Sequence, residues 1–350
     1  AASSDAALDE ATTVTASTTA TTAQAATIAA FSQAVVYNVS GTAAEIVAAS
    51  AGARNEAVNI TITGDATIAQ ATTAEDASNS GSVVVGTISD TAAAIAASTN
   101  LVITNSAGAV TASTTATTAQ AATIAAFSQA VVYNVSGTAA EIVAASAGAR
   151  NEAVNITITG DATIAQATTA EDASNSGSVV VGTISDTAAA IAASTNLVIT
   201  NSAGAVTASD AATVAEATTI DAFAKAVVFA VSDTATAIAA SSDAALDEAT
   251  TVTASTTATT AQAATIAAFS QAVVYNVSGT AAEIVAASAG ARNEAVNITI
   301  TGDATIAQAT TAEDASNSGS VVVGTISDTA AAIAASTNLV ITNSAGAVTA

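Results

Sequence analysis

The sequence predicts an α/β protein: an open-ended solenoid of strand–helix units of about 24 residues, coupled as βαβα pairs of about 48, with parallel strands. Three observations predict it. Long segments recur letter for letter, runs of Val, Ile, Tyr and Thr alternate with runs of Ala, and helix-start signals sit at the junctions. β-branched and aromatic residues favour strands while Ala favours helices, so the two kinds of run point in opposite directions.

The repetition comes first because it governs the rest. VTASTTATTAQ begins at Val14, Val110 and Val252. The first two copies are 96 residues apart; the 142 residues to the third are another 96 plus a variant 46-residue insert beginning at Val206. Residues 239–350 then reproduce residues 1–112. The whole chain, 1–350, therefore reads as one continuous repeat array: a 238-residue period, 1–238, and a partial second copy, 239–350. It breaks off in mid-pattern without a polar capping segment, which predicts a longer array.

Within the first copy the elements follow in order. VVYNV (35–39) reads as a strand, Ser40-Gly41-Thr42 as a helix start and TAAEIVAAS (42–50) as a helix. VNITIT (58–63) alternates, with Val58, Ile60 and Ile62 on one face; Gly64-Asp65-Ala66 and ATIAQATTA (66–74) then repeat the start-and-helix pattern. SVVVGTI (82–88), Ser89-Asp90-Thr91 and TAAAIAAS (91–98) do so again. LVIT (101–104) reads as the fourth strand, before Ala112-Ser113-Thr114 and TTATTAQAATIAAF (114–127). Thr21–Gln24, Thr42–Glu45 and Thr138–Glu141 have capping-box spacing, and Asp90, Asp186, Asp233 and Asp328 sit where a carboxylate suits exposed helix N–H groups. Ile28, Phe31 and Val35 fall at helical spacing, as do Ile124, Phe127 and Val131, predicting one buried stripe. Two unit types alternate, one with a [VI]-S-[DG]-T-A-x-x-I core and one with T-x-A-Q-A or T-I-A-Q-A.

A unit of this size cannot bury its apolar face alone, whereas stacked neighbours bury each other's. Stacking creates a mismatch, because strands lie about 4.8 Å apart and packed helices about 8–10 Å. Curvature, two sheets per turn, or close helix packing through Ala would each relieve it. The rival architecture is an all-β solenoid, which segments such as TAAAIAAS oppose because Ala is poor in strands. A disordered linker is opposed by 51% hydrophobic residues and the absence of Pro.

Composition removes whole classes of function. The chain has no Cys, His, Met, Trp or Pro, so imidazole and thiol chemistry and soft metal sites are excluded. Twenty-eight acidic residues face four basic ones, Arg54, Arg150, Lys225 and Arg292, for a net charge of −24. Nucleic acid and anionic lipid would be repelled. Residues 11–44 carry no charge, but their Thr, Ser and Gln make them no apolar span, so no membrane insertion is expected.

No catalytic, cofactor-binding or metal-ligating residue is assigned, and the protein is not expected to be an enzyme. The adjacent carboxylates Asp9–Glu10 and Glu75–Asp76 recur with the repeat and read as solvated surface charge. Calcium is the candidate ligand: Asp76, Ser78, Ser80 and Gly81 have the spacing of half a calcium loop, repeated from Asp172 and Asp314, although Thr87 holds the position of the bidentate carboxylate. Gly64-Asp65 after a strand would repel a phosphate. Asn38-Val-Ser and Asn59-Ile-Thr match glycosylation acceptors but lie in strand-like runs. Tyr37, Tyr133 and Tyr275 share one repeat position, and Phe31, Phe127 and Phe269 another, which reads as core.

VSDTATAIAAS (231–241), TISDTAAAIAAS (87–98) and YNVSGTAAEIVAAS (37–50) resemble the Ala/Thr-rich S-D-T-A-x-x-I-A-A repeats of very large bacterial cell-surface and secreted proteins of the adhesin, surface-layer or extracellular-filament type. The resemblance implies export, self-assembly and calcium. The expectation is a structural repeat protein forming an extracellular or cell-surface fibre or layer. Its partners would be copies of itself, end-to-end or lateral, with divalent cations between acidic surfaces. The alternative is an adhesin stalk whose binding head lies outside this segment.

Overall fold

The structure is a computed structural model that describes residues 5–350. The chain is α/β, with strands and helices alternating. It divides into two compact units, Ala1–Gly182 and Thr183–Ala350.

In the first unit, strands Val39–Thr42, Ile60–Ala66, Val83–Asp90, Val110–Ala112 and Val131–Val132 pair in sequence order, each parallel to the next. A parallel pair, Val14–Thr15 with Val35–Val36, precedes them, and Val135–Thr138 pairs in parallel with Ile156–Ala162 after them. The second unit repeats the scheme. Val206–Ala212, Val227–Asp233, Val252–Ala254 and Val273–Val274 form one parallel series. Ala258–Thr259, Val277–Thr280, Ile298–Ala304, Val321–Ser327 and Val348–Thr349 form another.

Two crossover types alternate, matching the two motif types in the sequence. Val39–Thr42 is followed by two helices, Ala43–Ala48 and Ala51–Asn55, and Ile60–Ala66 by one, Ile68–Glu75. Val83–Asp90 again has two, Ala92–Ala96 and Asn100–Thr104, and Val110–Ala112 one, Thr118–Ile124. The α-helices run four to eight residues. Isolated helices shorter than about 12–15 residues are marginal in water, so packing against the sheet must hold these in place. Their starts are set by hydroxyl caps. Thr21, Thr42, Thr67, Thr117 and Thr138 each form a full capping box, while Thr91 and Thr99 cap through the side chain alone.

The core lies between sheet and helices. Ile60, Ile62, Val85, Ile88 and Val110 face it from the strands, and Ile46, Ala71, Ala74, Ala92 and Ile95 from the helices. Small helix residues let each short helix lie close on the sheet.

The registers show how the strand–helix mismatch is relieved. Val39 aligns with Ile60, and Ile60 with Val83. Yet the counterpart of Val39 in the next motif is Ile88, five residues beyond Val83 on the same strand. Ile88 aligns in turn with Val110, and Val110 with Val131, while the following motif begins at Val135, four residues further on. Helix starts therefore slide along the strand direction by about two residues per rung. At roughly 3.3 Å per residue that is about 7 Å, which combines with the 4.8 Å strand spacing to separate successive starts by about 8–9 Å. This is a helix-packing distance. Consistent with the offset, Ile68–Glu75 packs on the first helix of the preceding rung, Ala43–Ala48, and on the second helix of the following one, Asn100–Thr104.

Several boundaries differ from the sequence expectation. LVIT (101–104) is a helix: Thr99 caps it, and Val102 and Ile103 turn inward while Leu101 is exposed. Position after a cap overrides the strand propensity of β-branched residues. The strand falls instead at Val110–Ala112. Helix Thr22–Ile28 stops at Ile28, so Phe31 lies in the turn and Val35 opens a strand; the predicted stripe is split between two elements. Gly64-Asp65-Ala66 completes a strand, and helices begin only after Thr67 and Thr117, the first hydroxyls positioned to accept from the N3 amide.

Candidate functional site

Among the described residues, three sets of side chains line up from rung to rung. The first satisfies helix N-termini. Asp90 accepts from Thr91 N at 2.7 Å and from Ile68 N, on the preceding crossover, at 2.9 Å. Asp233 does the same for Thr234 N and Val214 N, and Asp328 for Thr329 N and Ile306 N. Asp186 accepts from Thr187 N at 2.8 Å. Where the next rung lacks that aspartate another oxygen serves: Ala92 N donates to Thr114 Oγ1, Ala235 N to Thr256 Oγ1 and Ala188 N to Asp210 Oδ1. The four predicted aspartates are thus at helix N-termini. Their reach to a neighbouring crossover has no sequence signal, because it depends on the register.

The second set is an amide ladder. Asn38 Oδ1 accepts from Asn59 Nδ2 at 2.9 Å, and Asn59 Oδ1 accepts from Ser82 N and Oγ at 2.8 and 2.9 Å. Asn134–Asn155–Ser178 and Asn276–Asn297–Ser320 repeat it. Both acceptor-like tripeptides of the first copy therefore supply ladder residues. The proposed calcium half-loop serves the same joint. Asp76 is the C-cap of its helix, Ser78 N donates to Asn55 Oδ1, and Asn79 Nδ2 donates to Val58 O. A Cβ on Gly81 would lie 2.4 Å from Asn59 Oδ1 and 2.5 Å from Val58 O, so close approach to the rung before it accounts for this glycine. Among the described residues, no group of three or more His, Cys, Asp or Glu is placed to hold a metal ion.

The third set faces away from the core. Ser40, Thr61 and Val84 align across three consecutive rungs, and so do Ser89, Thr111 and Val132. In the second unit Ser185, Thr207 and Val228, then Ser232, Thr253 and Val274, then Ser278, Thr299 and Val322, repeat the ladder. The valines are exposed although strand-borne, from 37% for Val84 to 49% for Val274.

The remaining candidates have structural partners. Asp9 accepts from Ser32 Oγ, beside Asp5. Asp65 accepts from Thr87 Oγ1. Each arginine turns its guanidinium onto main-chain carbonyls at a helix C-terminus, Arg54 onto those of Ile46, Val47 and Ala49, where a cation suits the dipole. Lys225 donates to Ser202 O. A shallow groove of about 300 Å³ between Thr118, Ala122, Glu141 and Ala145 recurs around Thr260, Ala264, Glu283 and Ala287, and so belongs to the repeat. No helix is long and apolar enough to cross a membrane among the described residues.

The tyrosines are core, as their repeat position predicts. Tyr37 and Tyr133 donate to Ala53 O and Ala149 O at 3.0 Å, and Tyr275 to Ala291 O at 3.1 Å. Burial, with a smaller contribution from Glu56, Glu152 and Glu294, pushes all three hydroxyls up to about 12. An ultraviolet titration should find little tyrosinate at pH 10.5, above the ordinary tyrosine value of about 10. Tyr133→Phe should lower stability by about 1 kcal/mol, the worth of one buried hydrogen bond, in urea unfolding. The insert already carries Phe229 at this position.

Two groups of glutamates oppose each other in acid. Burial, then the adjacent Asp76 or Asp314, raises Glu75 and Glu313. Capping hydrogen bonds from Thr42, Thr138 and Thr280 lower Glu45, Glu141 and Glu283. The raised pair disfavours the fold when ionised, so its effect is relieved as pH falls from neutrality into the glutamate range. The lowered group stabilises above its unfolded value, and that stability is lost as pH falls through the folded one. The urea midpoint should therefore rise as pH falls from neutrality towards the glutamate range, and fall again once the capping glutamates protonate. A midpoint falling monotonically from pH 7 would contradict this.

The chain was compared with family models, with curated proteins and with solved structures, and it matches none of them.

Proposed function

We propose that this chain is a structural repeat protein whose rungs continue as an open-ended solenoid, and that it builds an extracellular or cell-surface fibre or layer by self-association. The observation that carries this reading is that a rung is completed by its neighbour. The N–H groups of Ile68, Ala92 and Val214, each opening a helix, find their side-chain acceptor on the following rung. Such units gain by addition along one direction, the logic of repeat architectures. Placement at the cell surface or outside the cell follows the S-D-T-A-x-x-I-A-A resemblance.

With a net charge of −24, lateral approach is opposed at long range and eased by salt or divalent cations. Electron microscopy and sedimentation across a salt and calcium series test the reading. Rods or filaments that bundle as ionic strength rises are the expected outcome. A compact, spherical monomer under every condition would overturn it.

A further inference from the structure

We propose that two copies of this chain meet through the outward face of the sheet, Ser–Thr–Val ladder against Ser–Thr–Val ladder. This rests on the self-association reading above and names its surface.

Charge segregation is the first argument. The acidic residues of the first repeat, residues 14–109, are Glu45, Glu56, Asp65, Glu75, Asp76 and Asp90. Glu45, Glu56, Glu75 and Asp76 lie in helices or at their C-caps, and Asp90 is bonded to two helix N-termini. Asp65 is the exception: next to buried Ala66 it lies on the outward side, at the far end of its strand, where it accepts from Thr87. The ladder Ser40–Thr61–Val84 contains no charge. With one carboxylate per repeat on the outward side against five on the helices or at their ends, a second copy meets the least repulsion on that face.

The variant insert supplies the second argument. Aligned from Val206 on Val110, it departs from the main repeat at many exposed helix and turn positions: Thr218 stands for Ala122, Asp221 for Ala125 and Ala224 for Ser128. Thr207, Val228 and Ser232 nevertheless match Thr111, Val132 and Ser136. Val228 is 47% exposed, so core packing does not demand an apolar residue there. Strand propensity asks for a β-branched residue, yet not for valine and threonine on alternate rungs. That order holds on Thr15, Val36, Thr61, Val84, Thr111 and Val132, so apolar and hydroxyl groups alternate from rung to rung on this face.

The chain has no cysteine, which makes the test direct. Val132→Cys and Leu101→Cys are prepared in the full chain; Leu101 is the control, 58% exposed on a helix. Each is oxidised mildly in about 0.5 M salt, where repulsion is screened. Val132→Cys should form the disulfide-linked dimer at least tenfold faster than Leu101→Cys. A Val84→Glu, Val132→Glu double variant with unchanged circular dichroism should weaken self-association at least tenfold in sedimentation velocity. Equal cross-linking rates, or a folded double variant that associates like the parent, would overturn the interface while leaving self-association standing. A parent chain that stays monomeric throughout would remove both.

Discussion

Replacing Ile88 by Ala should destabilise the first unit by about 2–5 kcal/mol, the range for truncating a buried isoleucine. Ile88 is 1% exposed and stands in register between Ala66 and Val110. Ala66 is too small to close the gap from one side, and Val110 is stiff at χ1, so little of the cavity can collapse. Because each rung leans on its neighbours, hydrogen exchange should accelerate most at the amides of strands Ile60–Ala66 and Val110–Ala112. A loss below about 1 kcal/mol in urea unfolding would mean that the core does not lie between sheet and helices as described.

Gly86→Ala should cost about 1–3 kcal/mol through overpacking. A Cβ there would lie 2.6 Å from Gly64 O and 2.8 Å from Gly64 N, both main-chain atoms with nowhere to go. Gly64 itself has φ of +79°, and the pairing register shifts between Ile62 and Asp65 around it. The two glycines form one joint: a left-handed residue takes up the extra length of its strand, and a side-chain-free residue on the next strand lets it nest. Gly64→Ala meets no atom within 4 Å, so its cost should be only the conformational one of about 1–2 kcal/mol. A double variant less destabilised than the sum of the two would confirm that the residues act together. If Gly86→Ala unfolds no earlier than the parent in urea, the close approach is not a constraint.

Much of this architecture is legible in the sequence, for identifiable reasons. Strand and helix runs differ in propensity, and hydroxyl caps act over three residues, so Thr42–Glu45 and Thr138–Glu141 could be read directly. LVIT could not, because its residues favour a strand and only the cap at Thr99 and the two-helix crossover make it helical. The stagger was hidden for a deeper reason. Sequence spacing gives the mean length of a unit, whereas register depends on how many of those residues lie extended and how many coil. The cross-rung contacts of Asp90 and Asn59 depend on that register and stay hidden with it. The alternation of Thr and Val on outward positions was present in the letters, as the second residue of each V-V-x, V-T-A and I-T-I run, but it acquires meaning only once the strands are aligned.

The placement of the four basic side chains bears on digestion. Trypsin-like proteases must draw an extended segment into their cleft and seat an arginine or lysine in a deep acidic pocket. Here Arg54, Arg150 and Arg292 have their heads fastened to carbonyls of the helix before them, and Lys225 donates to Ser202 O. Cleavage would have to wait for local opening that releases both the head and the backbone around it. Such enzymes are offered only four guarded bonds in 350 residues, so limited digestion should leave the folded chain intact far longer than the unfolded one.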